Sequence, residues 1–121
     1  MSVGFAEFVG RYRLVVSEEL LAFIERTWVE SAPLAERDRV RREAQQEAQG
    51  AEIEIRADGT FISRSGEQEL YRVTLGTALD EQERLCFEKT PGQRVYLRLL
   101  DGDRVLAVQS GKPDNEFRRV V

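Results

Sequence analysis

The chain has 121 residues, of which 41% are hydrophobic and 33% charged, and its formal net charge is −4. A chain of this length forms one domain with its own core, so we predict a single domain over residues 1–121. The negative charge argues against binding to nucleic-acid phosphates or anionic membranes. The longest fully apolar run, Leu20 to Ile24, is too short to span a bilayer.

Histidine is absent from the sequence. This excludes Ser-His-Asp and Cys-His catalysis, as well as zinc sites ligated by histidine. The single cysteine, Cys86, cannot form an intramolecular disulfide, and no basic leader with an apolar stretch opens the chain. We therefore expect a cytoplasmic protein that is not an enzyme and has no metal or cofactor.

A strand and then a helix begin the chain. Apolar side chains alternate with arginine from Gly10 to Val16, which predicts a half-buried strand. Ser17 then supplies the N-cap of a first helix. Its apolar face is predicted to pack on the rest of the fold, and it consists of Leu20, Leu21, Ile24, Thr27 and Trp28.

A second helix is predicted between Pro33, which suits a first helical turn, and Gly50, which suits a C-terminal stop. Its apolar stripe is narrow and made of small residues: Val40, Ala44 and Ala48. The four arginines between residues 37 and 42 are balanced by four carboxylates on the same helix. We interpret this helix surface as solvated, with no role in nucleic-acid binding.

From Ala51 onward the hydrophobic period changes from 3.6 to 2, and short alternating segments follow one another through tight turns. Asp58-Gly59 and Asp101-Gly102 predict hairpins with glycine at positive φ. Strands joined by such turns pair with their sequence neighbours. We therefore predict a mainly β fold with two helices: an eight-stranded antiparallel meander barrel, with the helical pair inserted between strands 1 and 2 and lying over one end.

The chain resembles bacterial lipocalin-like domains of the calycin type. The likeness lies in the glycine-aromatic strand from Gly10 to Leu14, the inserted helices, and the segment from Glu52 to Phe61 with its Asp-Gly-Thr-Phe hairpin. The helical pair is also similar to that of fatty-acid-binding proteins. The resemblance implies a barrel with a cavity and no assigned reaction. Eight strands replace the ten of fatty-acid-binding proteins, and their C-terminal Arg-x-Tyr is absent.

Arg119 is the first candidate ligand-binding residue. If Phe117 points inward, Arg119 has the same parity and enters the barrel, where a buried charge needs a carboxylate or a bound anion. Gln109 is predicted to lie near it. Without a protein partner for Arg119, its replacement by Met would leave stability unchanged or improved. The alternative is a register in which Arg118 takes the inward position.

The other candidate ligand-binding residues are aromatic. Phe23 and Trp28 of the first helix either line the mouth of a pocket as a lid or form the helix's part of the core. Tyr71 belongs to a bulky inward set, which also contains Phe61, Phe87 and Phe117. An eight-stranded barrel can hold one small ligand or be filled by side chains.

Two functions remain open. The first is a non-enzymatic lipocalin-like barrel that binds a small apolar or amphipathic molecule. The alternative is a structural or protein-interaction module with a side-chain-filled barrel, whose helical pair or open edge contacts a partner protein. Fold alone does not decide between them.

Overall fold

The computed structural model describes residues 3–120 and confirms the predicted fold: within them, eight antiparallel strands form a nearly closed barrel, with two helices between the first and second strands. The strands are β1 (Gly10–Leu14), β2 (Ala51–Ile55), β3 (Thr60–Ser65), β4 (Gln68–Thr74), β5 (Arg84–Thr90), β6 (Gln93–Asp101), β7 (Arg104–Gln109) and β8 (Asn115–Arg119). The helices are α1 (Glu18–Ile24) and α2 (Arg37–Gln49).

The strand order in the sheet is β4-β3-β2-β1-β8-β7-β6-β5. Consecutive strands pair through short turns from β2 to β4 and from β5 to β8. Strand β1 pairs with β2, from which the helices separate it in sequence, and with β8. Strands β4 and β5 are the two edges of the sheet. Three inward aromatic rings lie at the gap between these edge strands: those of Phe61, Tyr71 and Phe87. Phe61 and Phe87 have ring centroids 4.7 Å apart, and Phe61 and Tyr71 are separated by 5.9 Å.

The helical pair covers the barrel end at which β1 and β3 finish and β2 and β4 begin. Ser65, at the end of β3, donates a hydrogen bond to the carbonyl of Glu47 in α2 (3.0 Å). Ion pairing between Glu25 and Arg41 joins the segment after α1 to α2. Val40, Ala44 and Ala48 of α2 pack in the small core under the helices, as predicted.

One prediction for the first helix is wrong. Thr27 and Trp28 were expected on its buried face, but both are exposed, and Val29 is buried instead. The cause is a π-helical segment, Glu25–Val29, in which the Glu30 amide donates to the carbonyl of Glu25, five residues back (2.9 Å). The wider turn shifts the helical phase by about one residue, so Val29 takes the place predicted for Trp28.

The opposite end of the barrel is closed by an N-terminal 3-10 turn, Phe5–Phe8. Phe8 is fully buried and belongs to the main core together with Tyr12, Leu75 and Leu85. The barrel therefore has one end sealed by apolar packing and one end beneath the helices. In the described part of the chain, the helices are too short or too polar to cross a membrane.

The two predicted glycine turns differ. Gly59 has φ +91°, as predicted, and an added Cβ would lie 3.0 Å from the Leu75 carbonyl oxygen. The prediction for Gly102 is wrong: its φ is not positive, and no atom lies within 4 Å of an added Cβ. The Asp101 carboxylate instead accepts a hydrogen bond from the Asp103 amide (2.8 Å), which stabilises this turn without a left-handed residue.

Replacing Gly59 by Ala should lower the free energy of unfolding by about 1 kcal/mol or more, because the left-handed conformation disfavours a Cβ. The matched replacement of Gly102 by Ala should leave it nearly unchanged. Denaturant unfolding of both variants measures the difference. Equal losses at the two glycines would contradict the turn conformations described above.

Candidate functional site

A cavity of about 630 Å³ lies between the barrel interior and the helical pair. The strands contribute inward residues, because alternate side chains of a strand face the lumen. The two helices contribute the residues that face the barrel. The apolar part of the lining is Leu14, Leu20, Phe23, Ile24, Trp28, Val40, Ala44, Ala48, Ala51, Ile53, Phe61, Leu70, Val95, Leu97, Ala107, Pro113 and Phe117.

Two β-bulges flank the gap between β4 and β5 at the cavity end. The register of β3 with β4 shifts so that Leu70 has no partner, and that of β5 with β6 shifts so that Lys89 has none. A bulge turns its extra residue out of the regular alternation. Leu70 and Lys89 both line the cavity. The bulge of β4 brings Leu70 there, whereas Lys89 keeps the inward parity of Leu85 and Phe87.

Four of the five predicted ligand-binding residues line this cavity: Phe23, Trp28, Tyr71 and Gln109. Trp28 is 56% exposed and lies at the mouth. Phe23 belongs to α1, and Gln109 ends β7 at the side nearest the helices. The π-helical segment that removes Trp28 from the core also leaves it on the surface beside the opening.

Arg119, the fifth predicted residue, lies at the sealed end. It shares the inward face of Phe117, but its guanidinium donates to the carbonyls of Glu7 (3.2 Å), Val9 (2.8 Å) and Gly102 (3.0 Å). It also donates to the Tyr12 hydroxyl (2.9 Å) and lies over the Tyr12 ring. Backbone oxygens thus take the place of the carboxylate or bound anion that was predicted as the partner of Arg119.

Arg119 and Gln109 are not brought together. The Arg119 amide donates to the carbonyl of Asp103, in the turn before β7, whereas Gln109 is the last residue of β7 and pairs with Val95. The two side chains therefore belong to opposite ends of the barrel. Strand parity correctly indicated the face of Arg119 but carried no information about its height along the barrel axis.

Four charged side chains line the cavity: Glu43 and Glu47 of α2, Lys89 of β5, and Lys112 of the β7–β8 turn. The Lys89 ammonium lies 5.0 Å from the centre of the Tyr71 ring. Burial lowers the pKa of Lys89, the charge of Lys112 lowers it further, and Glu47 offsets part of this. The cation is thus held near an aromatic face, and the charge of Lys112 acts on it.

Polar groups also reach the cavity wall from the strands. Burial raises the pKa of the Tyr71 hydroxyl, with a smaller opposing effect from Ser63. Asn115, the first residue of β8, has a buried Oδ1 with no hydrogen-bond partner in the described part of the chain. Such an atom is costly inside a protein. The wall therefore offers an unused hydrogen-bonding group to a molecule in the cavity.

Sequence reasoning missed Lys89, Lys112 and Asn115. Two signals were present. Lys89 continues the parity of Leu85 and Phe87 on β5, and Asn115 continues that of Phe117 on β8. The second signal is scarcity, because Lys89 and Lys112 are the only lysines among 18 basic residues.

The outer barrel surface carries the single cysteine. Cys86 is free and partly exposed, and its Sγ accepts a long hydrogen bond from Arg94 (3.5 Å). Within residues 3–120, no cluster of three or more carboxylate or cysteine side chains is arranged to hold a metal ion. The lining of the cavity offers apolar contact, hydrogen bonding and charge.

Comparison of the chain with protein-family models, with curated proteins and with solved structures gave no match.

Proposed function

We propose that this protein is a non-enzymatic, lipocalin-like barrel that binds a small apolar or amphipathic molecule in the cavity beneath its helical pair. The observation that carries the proposal is the cavity itself. Its volume of about 630 Å³ falls within the range of small-molecule sites, about 300–1,000 Å³. Its lining also matches such sites, because it is mainly apolar with a few polar groups.

The form of the opening supports the same proposal. Trp28 and Leu70 are large apolar side chains that line the cavity and yet are 56% and 42% exposed. Covering exposed apolar groups of this size is favourable, because it removes apolar surface from water. A ligand with one end in the barrel and the other at the mouth would cover both.

The proposed kinship with bacterial lipocalin-like domains rests on the sequence resemblance and on the meander topology. The glycine-aromatic segment forms β1, and the Asp-Gly-Thr-Phe segment turns β2 into β3. We also propose that the protein works in the cytoplasm, which agrees with its single free thiol, Cys86.

Titration with phenylnaphthylamine, an uncharged apolar fluorophore, tests the binding function. The wild-type protein should bind it saturably. Replacing Ala107, which is buried in the cavity wall, by Phe should weaken binding by about tenfold or more, because the new ring occupies ligand space. Ala22→Phe is the matched control: Ala22 is exposed on α1, outside the cavity lining.

Saturable binding that is lost in Ala107→Phe but kept in Ala22→Phe would support the proposal. Absence of saturable binding by the wild type, or equal binding by both variants, would overturn it. Melting curves of the variants show whether each is folded.

The alternative function, a protein-interaction module, is favoured by one observation. Leu34 is 80% exposed between the helices and does not line the cavity. A partner protein covering Leu34 and Trp28 would explain both exposed side chains without a small ligand. Failure of the titration above would make this function the leading one.

A further inference from the structure

The two lysines of this chain lie on the same cavity, although 16 of its 18 basic residues are arginines distributed over the whole sequence. Most of the arginines are neutralised by carboxylates in ion pairs. Among residues 3–120, Lys89 and Lys112 form no ion pair. The cavity thus has two cations that form no ion pair with the carboxylates of residues 3–120.

The two carboxylates on the same lining do not neutralise these cations. Glu43 pairs with Arg39, one helical turn away (3.3 Å). Glu47 acts on Lys89 from a distance, and its effect on that pKa is smaller than the opposing effect of Lys112. Of the two charges that act on Lys89, Lys112 therefore has the larger effect on its pKa.

The backbone builds this arrangement into the barrel. Lys89 is the unpaired residue of the β5 bulge, with its ammonium over the Tyr71 ring. Lys112 is exposed in the turn that leads into β8, three residues before Asn115. Two cations thus lie at the rim, and the apolar wall extends below them to Phe61 and Leu97.

We infer that the ligand is an acidic amphiphile, with its anionic head group held by Lys89 and Lys112 and its apolar body in the barrel. This inference rests on the proposed binding function and adds the charge and orientation of the ligand. An anion between two lysines relieves their mutual repulsion and forms charge-assisted hydrogen bonds. Arg119 has no part in it, since its donors are used by backbone carbonyls at the sealed end.

The test compares decanoate with decanol, which share an alkyl chain and differ in the charge of the head group. Each compound is titrated against bound phenylnaphthylamine at concentrations below self-association, and the displacement of the fluorophore is measured. The wild-type protein should bind decanoate about tenfold more tightly than decanol, because hydrogen bonds to a charged group are stronger than neutral ones. The double variant Lys89→Met and Lys112→Met should lose this preference and keep decanol binding.

A control variant separates site chemistry from net charge. Arg26→Met and Arg42→Met remove two exposed cations that lie outside the cavity lining, so the total charge changes equally. This control should keep the preference for decanoate. Dodecyl sulfate and dodecyl phosphate, measured in the same way, show which anionic head group is preferred.

The possible results separate the two proposals. Equal affinity for decanoate and decanol, or a preference that survives the double lysine variant, would overturn the inference and leave the binding function standing. Displacement by neither compound would overturn the binding function itself. If the double variant fails to fold, Lys112→Met alone answers the question, because Lys112 is exposed and its loss should reduce the preference at unchanged stability.

Discussion

Replacing Arg119 by Met should destabilise the protein by about 2–3 kcal/mol, because four hydrogen bonds from a charged group are lost, of which those to Val9 and Tyr12 are partly buried. The guanidinium bridges the carbonyls of Glu7 and Val9, at the N-terminal turn, to that of Gly102 in the β6–β7 turn, and it also donates to the hydroxyl of Tyr12. Tyr12 in turn donates to the Phe8 carbonyl (2.8 Å). The substitution therefore loosens the contact between β8 and the N-terminal turn that seals the barrel.

Arg118→Met is the matched control for this prediction. Arg118 precedes Arg119 on β8, faces outward and pairs with Glu116 on the surface. Exposed ion pairs contribute little, so this variant should lose less than about 1 kcal/mol. Urea unfolding measures both losses. An unchanged or raised stability of Arg119→Met would favour the original expectation of an unpaired interior charge and contradict the described network.

Replacing Ile24 by Ala should cost about 2–5 kcal/mol, since a large buried side chain leaves a cavity when it is truncated. Ile24 is 5% exposed in the core beneath the helices. Trp28→Ala, four residues later on the same helix, should cost less than about 1 kcal/mol because Trp28 lies on the surface. Thermal or denaturant unfolding of the two variants measures the contrast.

The Trp28 result has a second use. A regular α-helix would place Ile24 and Trp28 on the same buried face, and both truncations would then be costly. A large loss for Trp28→Ala would therefore contradict the π-helical segment. A small loss would leave Trp28 available as a side chain whose environment can change on ligand binding.

The meander was predictable because every element of it is local. Alternation sets the face of each strand residue, and short turns force neighbouring strands to pair. The same alternation placed Tyr71 and Gln109 on the cavity wall. None of this depends on contacts between distant parts of the chain, so periodicity alone was sufficient.

The errors arose where tertiary contacts decide the outcome. The phase of the first helix changes at Glu25–Val29, and no residue type in this segment predicts a π-helical turn. The height of Arg119 along the barrel depends on the order in which β8 meets β1 and β7. Leu70 reaches the cavity through a bulge whose position is set by pairing with β3. The phase of the helix is set by its packing and the other features by register between strands, and periodicity in a single sequence shows neither.

Trp28 makes the central claim, that the cavity beneath the helices binds a ligand, directly measurable. It is the only tryptophan of the chain and lies 56% exposed at the cavity mouth. Titration with decanol should shift its fluorescence emission saturably to shorter wavelength as the indole is covered, and Ala107→Phe should abolish the shift. An emission spectrum that does not change up to the solubility limit, or a shift that is identical in Ala107→Phe, would contradict the account.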